Sequence, residues 1–219
     1  MLLDSLTKRC NSRALRCRWK AETRMLTAVI LAAGESKRMG SPKALLPYHD
    51  RTFLEHLVEI TKHPKIGSQL IVLGAGAEAI SNHVGLTPEM TVVNPDWESG
   101  QLSSIKAALK SIGSRPTDGI LLCLVDHPLI SSGLIADLVE AFYRTNKLIV
   151  LPTLRGKRGH PVIFSAKLFG ELLAAPETTG ARSVVWNYAA EVCEVPTSEE
   201  GVILNLNDPE AFRSATGGT

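Results

Sequence analysis

"AVILAAGESKRMGSPKALLPY", residues 28–48, is the stretch that decides how this chain folds. Four apolar residues fit to fill a strand run straight into small residues and a glycine, and then into Lys37, Arg38 and Lys43. A plain connection needs no such charge, whereas a loop that wraps an anionic ligand does. Small residues let backbone N–H groups approach phosphate oxygens, and Gly34 and Gly40 are expected to supply the unusual dihedrals of the turn. Arg38 then offers a fork and Lys43 a point charge to a polyphosphate. In an open parallel sheet, ligands bind beyond the carboxyl ends of the strands, which is where this loop falls.

Strand-like runs recur at residues 69–73, 91–94, 120–125, 148–151 and 161–164, with helical patterns at 53–61, 78–83, 103–110 and 134–144. Thr52 is placed to cap the first helix, and Ser103 or Ser104 to open the third. The alternation predicts an α/β fold: a Rossmann-like, doubly wound, mixed but mostly parallel sheet in a three-layer α/β/α arrangement. After Lys147 the pattern loosens, with turns at 155–159 and 176–180. Such a tail can supply an antiparallel edge and a substrate lid. One domain over residues 25–219 is expected.

The formal charge of +2 misleads until it is divided. Residues 1–24 hold seven cations against two acids, leaving 17 basic and 20 acidic residues in the rest. The basic excess belongs to that leader, so no nucleic-acid surface is expected on the body. The leader is expected to be disordered, or to precede a true start at Met25, rather than to be a targeting signal, because it has no apolar h-region. Apolar content of 44% and charged content of 21% are ordinary for a soluble protein, and no apolar run approaches the ~20 residues of a membrane span. Cys10, Cys17, Cys123 and Cys193 form no CxxC pair, and the six His residues show no zinc-ligand spacing. Cytoplasmic thiols, and a cytoplasmic protein, are the plain expectation.

Two further stretches bear on function. Gly74-Ala75-Gly76-Ala77-Glu78-Ala79 follows a strand and fits the dinucleotide fingerprint GxGxxA, with Asp96 at a suitable distance for a ribose hydroxyl. Such fingerprints are common by chance, and a tight turn packing a short helix on the sheet is the preferred reading. "GILLCLVDHPLI", from Gly119, drives an apolar strand into Asp126. An Asp where a buried strand surfaces is well placed to hold Mg²⁺, which takes a few carboxylates plus phosphate oxygens. Pro128 forces His127 into extended geometry, so His127 is expected to shape the turn.

Taken in order, several motifs make a resemblance specific. Leu31-Ala32-Ala33-Gly34-x-Ser36-x-Arg38-Met39-Gly40-x-x-Lys43 is similar to the signature of the nucleotidyltransferases related to molybdenum cofactor cytidylyltransferase (MobA/MocA type). "NPDWESGQLSSIKAAL" from Asn94, "VDHPLI" from Val125, "RGHPVIF" from Arg158, "GARSVV" from Gly180 and "NLNDPEAF" from Asn205 resemble later blocks of that family. The likeness covers residues 26–213, and several ordered motifs are far stronger than any one.

The resemblance implies a Mg²⁺-dependent transfer of CMP from CTP to a phosphorylated acceptor, the phosphate of molybdopterin, with release of pyrophosphate. It implies catalytic roles for Arg38, Lys43 and Asp126, and a nucleotide site built from Leu31, Ala32, Ala33, Gly34, Gly100, Gln101 and Ser104. Guanylyl relatives open the loop with Leu-x-Gly-Gly; Ala33 stands at the first Gly of that pair, and its methyl favours a pyrimidine, hence CTP over GTP. Metal ligands are expected at Asp126, Asn207 and Asp208. The acid falls one residue later than in relatives, so Asp208 also reads as a helix cap with Pro209 in the first turn. Arg158, His160 and Arg182 are candidates to bind the acceptor. The expected partners are these small molecules and a recipient molybdoenzyme, with no nucleic acid and no membrane. Two other readings stay open: another NTP or a sugar-phosphate acceptor, and a non-catalytic protein that delivers cofactor to a molybdoenzyme.

Overall fold

The computed structural model describes residues 25–36 and 41–206. In chain order the elements are β1 (Leu26–Ala32), β2 (Pro47–Tyr48), β3 (Arg51–Thr52), α1 (Phe53–Ile60), β4 (Ile66–Leu73), α2 (Ala77–Val84), β5 (Thr91–Val93) and α3 (Gln101–Ile112). They continue with β6 (Gly119–Leu124), α4 (Ser132–Thr145), β7 (Ile149–Leu154), β8 (Lys157–Arg158), β9 (Val162–Ser165), α5 (Phe169–Ala174), α6 (Arg182–Asn187) and β10 (Val192–Pro196). β2 and β3 make a small separate hairpin, while the main sheet runs β10-β7-β9-β6-β1-β4-β5 with β8 paired to β7.

β1 is the central strand, parallel to β4 on one side and β6 on the other, with Ile30 opposite both Ile71 and Cys123. Its side chains alternate between two cores, as strand geometry requires. Leu26, Ala28, Ile30 and Ala32 join the cluster under α1, α2 and α4, whereas Val29 and Leu31 join the one under α3, α5 and α6. The sequence therefore reads as a buried parallel sheet because both faces of its strands are covered by helices. Burial pushes the Cys123 thiol up to about 12, which makes it inert packing at neutral pH.

Thr52 caps α1 as expected, and Glu55 completes a capping box by accepting from the Thr52 backbone N–H. Two expectations need correction. The antiparallel strand is not at the edge: β9 lies between β6 and β7 and runs against both. All four of its residues are buried, which suits an interior place, while the edge strand β10 is half exposed and parallel to β7. The third helix starts at Gln101 behind Gly100, whose φ of 101° falls outside the usual range for an L side chain, so Ser103 and Ser104 sit in its first turn rather than at its cap. The β2–β3 hairpin, α5, α6 and β10 carry too short or too irregular a pattern to be seen in advance.

Chain direction fixes where the site must be. From β1 the strands step outward through β4 to β5; α3 then carries the chain back to β6 on the other side of β1. The carboxyl ends of β1 and β6 thus flank the point where the winding reverses, the usual ligand crevice of an open α/β sheet.

Candidate active site

At that crevice the backbone is tied strand to strand. Val125 N–H donates to the Leu31 carbonyl at 3.1 Å, and Ala75 N–H to the Ala33 carbonyl at 3.1 Å. Beyond β1 the chain passes Ala33 and Gly34 and turns at Ser36, which takes the left-handed conformation at φ 56°. The left-handed residue of the described loop is therefore a serine, and Gly34 is not among the glycines with positive φ. What Gly34 provides is space, since a Cβ there would meet nothing within 4 Å. The Ser36 hydroxyl accepts from Lys43 N–H at 3.0 Å and so holds the far end of the loop, where Lys43 opens a 3₁₀ turn (Lys43–Leu45).

Lys43 Nζ lies 3.8 Å from Asp126 Oδ2, with the two side chains 14% and 25% exposed. This is a shielded pair at the floor of a cleft, not a solvated surface contact. The loop after β1 and the acid after β6 therefore face one space, a cleft of about 570 Å³. Leu31, Ala33 and Gly34 line it from one side; Gly100, Gln101 and Ser104 line it from the other. Ala32 does not, because its methyl is packed into the core. Arg38, Asn207 and Asp208 lie outside the described residues.

The second wall is held by one buried amide. Asn94 Nδ2 donates to the Ser103 hydroxyl at 2.8 Å and to the Ser104 hydroxyl at 3.0 Å, while Asn94 Oδ1 accepts from Asp96 N–H at 3.0 Å. Ser103 in turn sits 2.8 Å from the Gly100 carbonyl. The Gly100 turn is thus clamped from inside, and Ser104 is presented to the cleft. Trp97 also lines the cleft and packs over Gly74, where a Cβ would lie 2.6 Å from the indole Cγ and 2.5 Å from the Ala33 carbonyl oxygen. Gly74 is therefore required by packing. Gly76, at φ 66°, caps α2, and neither glycine lines this cleft. The GxGxxA stretch is a tight turn that leads into the short helix α2.

A strap formed by residues 199–206 completes the site. His160 N–H donates to the Val202 carbonyl and Leu206 N–H to the Asp126 carbonyl, both at 2.8 Å. A His127 ring nitrogen, Nδ1, lies 3.2 Å from the Gly201 carbonyl and ties the turn after β6 to this strap. The strap brings Asn205 to the cleft beside Asp126.

Behind His160 a second cavity of about 380 Å³ opens, and Gln101 and His160 line both. Arg158 and Arg182 line the second one. Arg158 is paired with Glu194 at 2.8 Å, and the Arg182 guanidinium stands 6.0 Å from the Trp186 ring centre. Burial pulls the His160 pKa down to about 4, with His127 adding to the effect and Asp126 opposing it, so the ring is neutral near pH 7. His160 Nδ1 is buried without a hydrogen-bond partner among the described residues. An orphaned N–H is rarer and costlier than an orphaned lone pair, which places the proton on Nε2 and makes the ring a donor.

Mg²⁺ takes one or two carboxylates and fills its remaining positions with water and substrate phosphates. The Asp126 carboxylate and the Asn205 amide oxygen fit that demand. One carboxylate and one amide oxygen suit a metal that arrives with a triphosphate. Sequence reasoning missed Trp97 and Glu98 as lining residues, along with Trp186 in the second cavity. Trp97 and Glu98 were legible in "NPDWESG", whereas Trp186 follows a stretch with no clear period.

A reversal-point crevice carrying a lysine, a carboxylate and a glycine-opened loop, joined to a second cavity, defines a nucleotide-handling α/β enzyme of Rossmann-like class. Residues 28–192 match the MobA-like NTP transferase domain, and the chain belongs to that nucleotidyltransferase family. It is similar to a nicotine blue oxidoreductase of Paenarthrobacter nicotinovorans, 36% identical over 151 residues, covering 65% of this chain and 72% of that one. The molybdenum cofactor cytidylyltransferase of Escherichia coli K12 is 26% identical over 192 residues, covering 87% and 95%. Among solved structures, Rv0371c of Mycobacterium tuberculosis H37Rv superposes with a TM-score of 0.77 at 28% identity, over 89% of this chain and 100% of that one. The same protein has also been solved in complex with manganese. Among the described residues no helix is long and apolar enough to cross a membrane.

Proposed function

We propose that the chain transfers CMP from CTP to the phosphate of a molybdopterin-type acceptor and releases pyrophosphate. The observation that carries this is the 3.8 Å approach of Lys43 to Asp126 at the reversal point, in a cleft that shares His160 and Gln101 with a second cavity. The first cleft takes the triphosphate and the second takes the acceptor. An acceptor phosphate oxygen attacks the α-phosphorus; the new P–O bond forms as the α–β bridging bond breaks, and pyrophosphate leaves with the electron pair. The attacking phosphate is already anionic near neutral pH, so positioning and charge stabilisation suffice without a general base.

Lys43 neutralises charge on the triphosphate, with Arg38 as its partner. Leu31, Ala33 and Gly34 let the nucleotide approach the backbone, while Gly100, Gln101 and Ser104 hold it from the α3 side. The Ala33 methyl narrows the base side and favours cytosine. His160, as a neutral donor, and Gln101 orient the acceptor phosphate, with Arg158 and Arg182 behind them. Bound Mg²⁺ supplies charge neutralisation at the phosphate oxygens; Asp126 and Asn205 would hold it, joined by Asn207 and Asp208. A recipient molybdoenzyme would take the product.

The test is pyrophosphate release by purified protein given Mg²⁺, molybdopterin, and CTP or GTP. Turnover with CTP above GTP supports the reading; binding of CTP without turnover, or turnover only with a sugar phosphate, overturns it. A second reading has its own observation, the 36% identity to an enzyme named as an oxidoreductase. There the same cavities would hold a nicotinamide dinucleotide and the compound it reduces, with hydride passing between them. Reduced-nicotinamide oxidation without pyrophosphate release would select it.

A further inference from the structure

The second cavity has a character that the transfer chemistry alone does not require. Its floor is apolar, made by Ile105, Leu122, Val162 and Phe164, two strands and one helix deep. At its rim Trp186 is 57% exposed, an unusual state for an indole with no structural need for water. Arg182 and Trp186 are four residues apart on α6, so one helix face presents both to the cavity. The Arg182 guanidinium stands 6.0 Å from the ring centre, and an exposed aromatic plane beside apolar lining residues is a stacking platform.

We propose that Trp186 is the specificity-determining residue of the acceptor cavity, and that it selects a flat, nitrogen-bearing aromatic ring system. This rests on the reading of that cavity as the acceptor site. His160 and Gln101 are common to both cavities and Trp186 lines only the second, so the acceptor lies with its phosphate at the shared end and its ring at the Trp186 end. A sugar would press its hydroxyls against four side chains that cannot hydrogen-bond, leaving them desolvated and unpaired. A planar heteroaromatic buries its faces there and keeps its polar edge for Thr179 and Arg182. A cavity of about 380 Å³ accommodates a fused two-ring system with a short tail.

The test uses equilibrium binding without nucleotide, so that it stands apart from catalysis. Lumazine, a planar two-ring nitrogen heterocycle, and ribose 5-phosphate are titrated by calorimetry into wild type, Trp186→Phe and Trp186→Ala. The wild type is expected to bind lumazine more tightly than ribose 5-phosphate. Trp186→Ala is expected to weaken lumazine binding at least tenfold, Trp186→Phe less than threefold, and neither to change CTP affinity or the unfolding midpoint. Equal lumazine affinity in wild type and Trp186→Ala, no lumazine binding by wild type, or tighter ribose 5-phosphate binding would each overturn the proposal. If lumazine binds through Trp186 while CTP yields no pyrophosphate with any acceptor, the transfer reading fails and the stacking site stands.

Discussion

His160 offers the most quantitative test of how the cleft is built. Its half-buried ring stands between the two cavities, 5.3 Å centre to centre from His127, and its pKa falls from the ordinary 6.5 to about 4. Below pH 6.5 the unfolded chain takes up a proton at this site while the folded chain does not, until pH approaches 4. Stability contributed by the neutral ring is thus present above pH 6.5 and is lost as pH falls through that window. A shift of about 2.5 units corresponds to roughly 3 kcal/mol in full, at 1.36 kcal/mol per unit. About 2 kcal/mol of it is spent by pH 5 and almost none at pH 7.5. Urea unfolding of wild type and His160→Asn at those two pH values isolates the effect, because every other ionisable side chain is common to both proteins. The wild type is expected to lose about 2 kcal/mol more than the variant between pH 7.5 and pH 5. Equal losses, or a His160 ring titrating near 6.5 by NMR, would refute the burial of a neutral imidazole at the junction.

Other outcomes follow from particular contacts. Gly74→Ala drives a methyl into the Ala33 carbonyl and the Trp97 indole, and is expected to destabilise by about 1–3 kcal/mol in chemical denaturation while raising KM for the nucleotide. Asn94→Ala removes the amide that holds Ser103, Ser104 and Asp96 N–H; a loss of about 1–3 kcal/mol and weaker CTP binding by calorimetry are expected. Thr52→Ala breaks the capping box of α1, and Thr52 lines neither cavity. It is expected to lower stability by about 1 kcal/mol and leave the kinetics of pyrophosphate release unchanged.

The fold was legible where local pattern and tertiary demand agree. Residues 28–32 and 120–125 read as buried strands because both faces of β1 and β6 are covered, so their apolar character is continuous. The pairing of the β1 loop with Asp126 was legible for the same reason, since two strand ends on either side of a reversal point must meet. The place of β9 was not, because nothing local distinguishes an interior antiparallel strand from an edge one; the choice depends on which strands β9 finds on either side. Gly34 illustrates a finer limit. A glycine in a loop announces freedom, but whether the backbone uses that freedom or only the missing side chain is settled by the surrounding atoms, and here Ser36 makes the left-handed turn. Trp186 was hidden because α6 is six residues long, too short for its period to show.

The claim on which the rest depends is that the loop after β1 and the acid after β6 grip one triphosphate–magnesium unit. Calorimetric titration of CTP with and without Mg²⁺ into wild type, Lys43→Ala and Asp126→Asn tests it directly. Lys43→Ala is expected to weaken CTP binding in both conditions, and Asp126→Asn to abolish the gain that Mg²⁺ brings while keeping the metal-free affinity. Wild-type binding by both variants, with the Mg²⁺ dependence intact, would contradict it.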